Sequence, residues 1–293
     1  MKKIILWSFL LLGLVSCKRF FNKENTQAQE ERIVCISKQY SEIIFALEAE
    51  QDLVAVDLSS TYPPEIKNLP SIGYHRALSA EAVLAMHPTL IIHDNNIGPE
   101  YVVDQLNQLQ IPMKVFDTKA EDLETTEALI KEMGGYFHQE AKAEELVQKL
   151  REDMALALKN KEQYEGLALP KVLIIHFGRA NNVYLVVSGE GSAAKMIRWA
   201  GGEIAVDPEK GMKQLSAEVV AESNPDIILL TDFGYDQLAS LDKIKELPGV
   251  GATKAAQEDK IYRVEEHDLI YLGPRTGENV LLLQKLLHGE NEK

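Results

Sequence analysis

Cysteine is almost absent from this chain of 293 residues: there are two, Cys17 and Cys35. Basic residues are in deficit too, 31 Lys and Arg against 45 Asp and Glu, for a formal charge of −14. A surface of that sign repels nucleic acid and anionic lipid, which excludes both as the primary target. The longest apolar run, Ile4 to Val15, is too short to span a bilayer comfortably and has the length of a signal peptide. Missing as well are the G-x-S-x-G and H-E-x-x-H patterns of hydrolases and metalloproteases. Gly189 to Lys195, "GEGSAAK", lacks the Gly-Lys-Ser ending of a phosphate-cradling loop and reads as a turn before a helix. No histidine-rich acidic loop is present either, so the pattern speaks against an envelope enzyme and against a zinc or manganese binder.

What is present begins with Lys2 and Lys3 ahead of the apolar run, which ends in Leu14-Val15-Ser16-Cys17. Small residues before a cysteine at that point resemble a bacterial lipobox, whose cleavage leaves Cys17 as a lipid-modified first residue. On that expectation residues 1–17 are signal peptide and lipobox, residues 18–31 are a polar tether, and the protein sits in the cell envelope, anchored to a membrane by lipid alone. Losing Lys2 and Lys3 leaves 29 basic against 45 acidic residues, a charge of −16. With Cys17 acylated, Cys35 has no partner for an internal disulfide, and its setting in "RIVCIS" marks a buried structural thiol.

Beyond the tether, short apolar runs alternate with helical patterns. "RIVCIS", "LVAVDL", "LIIHD" and "MKVFD" read as strands, followed later by "KVLIIHFG", "VYLVVS", "IILL" and "KIYRVE". The alternation predicts an α/β fold with parallel sheets and crossover helices. Gln139 to Tyr164 differs: it is rich in Ala, Glu, Lys and Leu, free of Gly and Pro, with Leu146, Leu150, Met154 and Leu158 at every fourth position. Such a helix extends roughly 35–40 Å. The expected organisation is a first α/β lobe over 32–138, a linking helix over 139–165 and a second α/β lobe over 166–293.

One phrase occurs twice. Residues 78–91 and 215–228 share seven of fourteen positions, each reading Leu-Ser-Ala-Glu, short helix, Pro, strand. Ser79 and Ser216 suit N-caps, and Glu81 and Glu218 favour the positive end of the helix dipole. Two copies with the same exit suggest related lobes.

In this order, and over about residues 32–289, the chain resembles the substrate-binding proteins of the vitamin B12, siderophore and haem ABC importers. The resemblance implies two Rossmann-like lobes joined by one long α-helix, a ligand cleft between the lobes, no catalysis, and an ABC permease with its ATPase as partners of a monomeric carrier. In that family one acidic residue of each lobe docks onto permease arginines; Glu81 and Glu218 match those positions, and the docking role is compatible with helix capping.

The Tyr-His-Arg that precedes only the first copy bears on the cargo. "LPSIGYHRALSAE" is similar to the GY-x-R segment of haem-binding members, whose tyrosine coordinates haem iron. Carried over, Tyr74 is an axial ligand, and a phenolate is a hard donor suited to ferric iron. In an extended loop Arg76 projects to the same side, within reach of the phenolate and of a propionate, and His75 points away. The role of His75 stays open between ligand, partner of a ligand and exposed loop residue. His176 in "KVLIIHFGRANN" ends a strand where ligands of open α/β folds gather, and the resemblance makes it the second ligand; some relatives have "HGG" there, and Phe177 is the departure. Arg179 and Arg275 are further cleft candidates, and Phe177 and Tyr184 are candidates to cover a porphyrin. His93 reads as solvated and His267 as part of an acidic loop. The implied cargo is ferric haem, with cobalamin or a ferric siderophore as the alternative in the same cleft.

Overall fold

Strands of a parallel sheet covered on both faces are apolar at every position, and Ile33–Ile36 is buried at all four. The computed structural model describes residues 31–179, 182–206 and 212–289; the expected signal peptide, Cys17 and all but the last residue of the tether lie outside them.

The first lobe runs β1 (Ile33–Ile36), α1 (Lys38–Ala46), β2 (Leu53–Val56), α2 (Ala80–Leu84), β3 (Leu90–His93), α3 (Glu100–Gln108), β4 (Met113–Lys114) and α4 (Leu123–Tyr136). Its sheet has the order β2-β1-β3-β4 and is parallel throughout. After α5 (Glu140–Lys161) the second lobe runs β5 (Lys171–Gly178), β6 (Val183–Val187), α6 (Ser192–Trp199), β7 (Glu203–Ile204), β8 (Met212–Gln214), α7 (Ala217–Ser223) and β9 (Ile227–Thr231). It ends with α8 (Asp232–Leu238), α9 (Leu241–Lys245), α10 (Lys254–Gln257), β10 (Ile261–Val264), α11 (Glu266–Ile270) and α12 (Thr276–His288). The fold is α/β: two lobes, each on its own sheet, joined by one long helix with a cleft between them.

The second sheet, β10-β9-β5-β6-β8 with β7 also on β5, departs from the expected all-parallel arrangement. β5, β9 and β10 are parallel, but β6 and β8 are antiparallel. The cause is chain length: only residues 179–182 separate β5 from β6, and a parallel return needs a crossover of about a dozen residues.

The linking helix spans 22 residues, about 33 Å, and packs between α4 on one side and α12 on the other. Its buried face is Ala143, Val147, Leu150, Met154 and Ala157, continuous with apolar side chains of both sheets. The expected stripe at every fourth residue is corrected at its end. Four residues turn the helix by roughly 40° past a full circle, so the stripe drifts and Leu158 is 43% exposed.

The repeated phrase forms the same structure twice. Ser79 Oγ accepts from Ala82 N and Ser216 Oγ from Val219 N, and Glu81 and Glu218 are exposed in the first turns of α2 and α7. Cys35 is buried in β1, and burial pushes its thiol pKa up to about 12.

Because one face of α5 serves both lobes, truncating it is expected to destabilise the whole fold. Leu150→Ala should cost about 2–5 kcal/mol in urea unfolding, and Leu158→Ala within about 0.5 kcal/mol. Equal effects would contradict the helix orientation.

Candidate ligand-binding site

Polar side chains follow the strands of the first sheet at their carboxyl ends. Ser37 follows β1, Asp57 follows β2 and Asp94 follows β3. Asp57 is 1% exposed and accepts hydrogen bonds from Ser59 N (3.0 Å), Ser60 Oγ (2.6 Å), Ser59 Oγ and His75 Nδ1 (3.2 Å). Burial pushes its carboxyl up, but the hydrogen bonds from His75, Ser59 and Ser60 outweigh it and hold the pKa below the usual range.

The loop carrying Tyr74, His75 and Arg76 is pinned by its backbone: Leu58 N donates to Gly73 O (2.8 Å) and Gly98 N to His75 O (2.8 Å). Gly73 has φ +92°, the left-handed region open to glycine. Ala77 N donates to Tyr74 O (2.8 Å), so His75 and Arg76 are the central residues of a turn rather than part of an extended strand. That corrects the expected alternation of sides. The Tyr74 ring, half-buried, rests against the His75 ring at 4.4 Å, and His75 is buried. Arg76 is exposed and donates from Nε (2.9 Å) and Nη2 (2.7 Å) to Asn96 Oδ1.

In the second lobe His176 stands near the end of β5, its Nδ1 3.4 Å from Thr231 Oγ1 and 3.8 Å from Glu266 Oε2. Burial lowers its pKa below the ordinary 6.5; Glu266 opposes this, while Lys38 and Arg179 add to it, so the imidazole is neutral at pH 7. Lys38 Nζ, buried, lies 2.5 Å from Glu266 Oε1 and 4.5 Å from the centre of the Tyr271 ring. Arg179 stacks its guanidinium over Phe233 at 4.2 Å, and among the described residues its buried Nε has no hydrogen-bond acceptor. Phe177 is buried beside Tyr184 and Phe233, and Tyr184 OH donates to Gly234 O (3.0 Å), which leaves Phe233, 42% exposed, as the open aromatic of the group.

Charged groups also tie the lobes together. Glu42 on α1 accepts from Arg275 Nε (2.8 Å) and pairs with His267 Nε2 on α11. Arg275 continues to Asp268 (2.6 Å) and lies 3.4 Å over the Tyr62 ring. Gln39 Nε2 donates to Leu272 O (2.6 Å). Two cavities open between the lobes, sharing Ser192 and Ile270. One, about 260 Å³, is lined by Gln39, Asp94, Asn96, Lys119 and Tyr271; the other, about 670 Å³, by Glu121, Lys195, Arg198 and Met212.

Residues 33–267 match the periplasmic binding protein family. The chain belongs to that family. Among solved structures it is similar to the periplasmic haem-binding protein RhuT from Roseiflexus sp. RS-1 (31% identity, TM-score 0.80), covering 90% of this chain and 100% of that one. It is also similar to a periplasmic haem-binding protein from Pseudomonas aeruginosa (27% identity, TM-score 0.75), covering 89% and 94%. Among curated relatives, the vitamin B12-binding protein of Pectobacterium carotovorum subsp. carotovorum (strain PC1) is 24% identical over 233 residues, 79% of each chain. A periplasmic binding protein is a substrate-binding transport protein, not an enzyme. Among the described residues no helix is long and apolar enough to cross a membrane.

For this periplasmic binding protein, the residues singled out in the sequence fall into three groups. Tyr74 rests on His75, and His75 and Arg76 meet at Asn96; His176 and Arg179 stand near Glu266; Arg275 is engaged by Glu42, Asp268 and Tyr62. His93 and His267, expected in solvent or a loop, are both buried. Sequence inspection missed Asp57, Lys38, Glu42 and Glu266. The available signal was position: each lies within a few residues of the carboxyl end of an apolar strand, where open α/β folds place ligands.

Glu42 generates a pH prediction. Burial raises its pKa, but His267 and Arg275 outweigh burial and hold it below the ordinary 4.5. A lowered folded-state pKa gives stability that is present above pH 4.5 and lost as pH falls through the folded value. Glu42→Gln should cost about 3–5 kcal/mol at pH 7 by leaving buried partners unpaired, and should flatten the loss below pH 4.5 in urea unfolding. An acid slope equal to that of the wild type would contradict this assignment.

Proposed function

We propose that this protein binds ferric haem in the cleft between its lobes and delivers it to an ABC permease and its ATPase, anchored to the membrane through a lipid on Cys17. The observation that carries the proposal is the donor pair: a tyrosine half-buried in a pinned turn on one lobe, and a histidine kept neutral by burial on the other. A phenolate and a neutral imidazole are axial donors that ferric haem accepts. Tyr74 and His176 are the iron ligands in this proposal. Arg179, stacked on Phe233 and lacking an acceptor at Nε among the described residues, is the anchor for a propionate, with Phe233 against the porphyrin. Arg76 orders the Tyr74 loop through Asn96 and can meet a second propionate. Arg275 contributes from the edge of the cleft, through the ties it makes to Glu42.

Support also comes from the solved relatives named for haem, at 31% and 27% identity over most of both chains. A second cargo, cobalamin, is favoured by the printed name of the Pectobacterium relative, 24% identical. Titrating the purified protein with haemin and, separately, with cyanocobalamin distinguishes them. For haem, a saturable Soret shift with tyrosinate charge-transfer bands is expected. Tyr74→Ala should abolish those bands and weaken binding by more than about tenfold, some 1.4 kcal/mol. Unchanged bands in that variant would remove Tyr74 as ligand; saturation by cyanocobalamin alone would replace haem with a corrinoid.

Docking is assigned to Glu81 and Glu218, exposed at equivalent places on the two lobes. The double variant to Ala should bind haem as the wild type does and lose most haem uptake in cells that depend on this importer. Normal uptake by the double variant would dismiss the docking pair.

A further inference from the structure

His75 is buried between the proposed ligand Tyr74 and the exposed Arg76, and its contacts fix the orientation of its ring. Asp57, 3.2 Å from His75 Nδ1, accepts only, and Ser59 Oγ, 3.1 Å from the same nitrogen, gives its own proton to Asp57, so both contacts call for the proton on Nδ1. The other ring nitrogen, Nε2, is then the one left to face a donor or a metal. Asn96 gives an independent indication. Its Oδ1 is taken by two donors of Arg76, which orients Nδ2 toward His75 Nε2, at 3.5 Å. A donor amide facing Nε2 at the limit of bonding distance agrees with a lone pair there. An imidazole whose Nδ1–H is held by a carboxylate, with Nε2 directed elsewhere, is the arrangement that holds metal-binding histidines in place.

The surroundings add reach. Asp57 is itself fixed by Ser59 N and Ser60 Oγ, so the imidazole is pre-oriented. Its ring touches that of Tyr74, so the two side chains address neighbouring points. Asn96, which covers Nε2, lines the inter-lobe cavity, and the Arg76 that holds it is exposed. A rotation of one asparagine side chain therefore opens Nε2 to the cleft.

We propose that His75 is a second iron-binding side chain of the first lobe, able to take the place of Tyr74 on the iron of a bound porphyrin. This rests on the haem reading above. The two side chains are neighbours, so the first lobe retains a bond to the iron when the tyrosine oxygen is displaced. Haem can then pass from one donor to the next as it enters or leaves the cleft.

The test compares the absorption and electron paramagnetic resonance spectra of the protein loaded with ferric haemin. Wild type, Tyr74→Phe, His75→Gln and Tyr74→Phe/His75→Gln are measured side by side. Glutamine is chosen because its amide can still donate to Asp57. Tyr74→Phe should hold haem in a low-spin form with imidazole on both faces, His75 and His176. The double variant should lose that form for a high-spin one and bind at least about tenfold more weakly, within the range for disrupted metal ligation. Identical spectra for Tyr74→Phe and the double variant overturn the proposal. Should the double variant melt early, Tyr74→Phe/Asn96→Ala serves instead: uncovering Nε2 should raise the low-spin fraction, and an unchanged fraction overturns the role of His75. A wild type that shows tyrosinate bands while Tyr74→Phe is already high-spin removes His75 alone. A wild type that binds no haemin removes this proposal and the haem reading together.

Discussion

A buried carboxylate must be paired, and Glu42 finds its partners on the opposite lobe. Its oxygens meet Arg275 and His267, from the segment between β10 and α12, while Lys38 one turn earlier meets Glu266. Breaking such a pair strands a charge in a medium that solvates it poorly, at several kcal/mol. The lobes are therefore held at two places, by the shared apolar face of α5 and by these ion pairs. Large opening of the cleft has to break one of them. A binding cleft gains from that constraint, because groups already held at a fixed separation lose less freedom when a ligand arrives.

The same ion pairs shape the chemistry of the site. Glu266 stands between Lys38 and His176, so its charge is divided between a permanent cation and an imidazole. Lys38 pushes the His176 pKa down while Glu266 pushes it up, and burial decides the balance in favour of the neutral ring. Asp57 reaches Lys38 electrostatically from the first lobe. Lys38 thus feels carboxylates of both lobes, and the ion pair that ties the lobes together also bears on the protonation of His176.

Legibility followed the range of the interactions involved. The strands were readable because β1, β3, β5 and β9 each carry a run of consecutive apolar residues, and the caps because Ser79 and Ser216 act within three residues of themselves. The antiparallel return of β6 was hidden, since its apolar run looks the same in either direction; only the short loop before it carried the information. The turn at Tyr74 was misjudged as extended because what closes it is a backbone bond, Ala77 N to Tyr74 O, supported by contacts to Leu58 and Gly98. Glu42 and His267 are 225 residues apart and have no local signature. Their pairing comes from the tertiary fold, and a single sequence does not display it.

The repeated Leu-Ser-Ala-Glu phrase and the single Tyr-His-Arg now have a common explanation. On the docking proposal, each lobe carries the same exposed acidic helix start because one permease would meet both lobes in the same way. The ligand is under no such symmetry. The proposed donors of the first lobe sit on a loop beside β2, in a turn that holds Tyr74 and His75 together; the proposed donor of the second, His176, lies within β5, where the strand itself fixes the backbone. A loop can change its donor without disturbing a sheet, and a strand cannot. On that reading, a change of cargo is expected to alter the segment after β2 rather than β5.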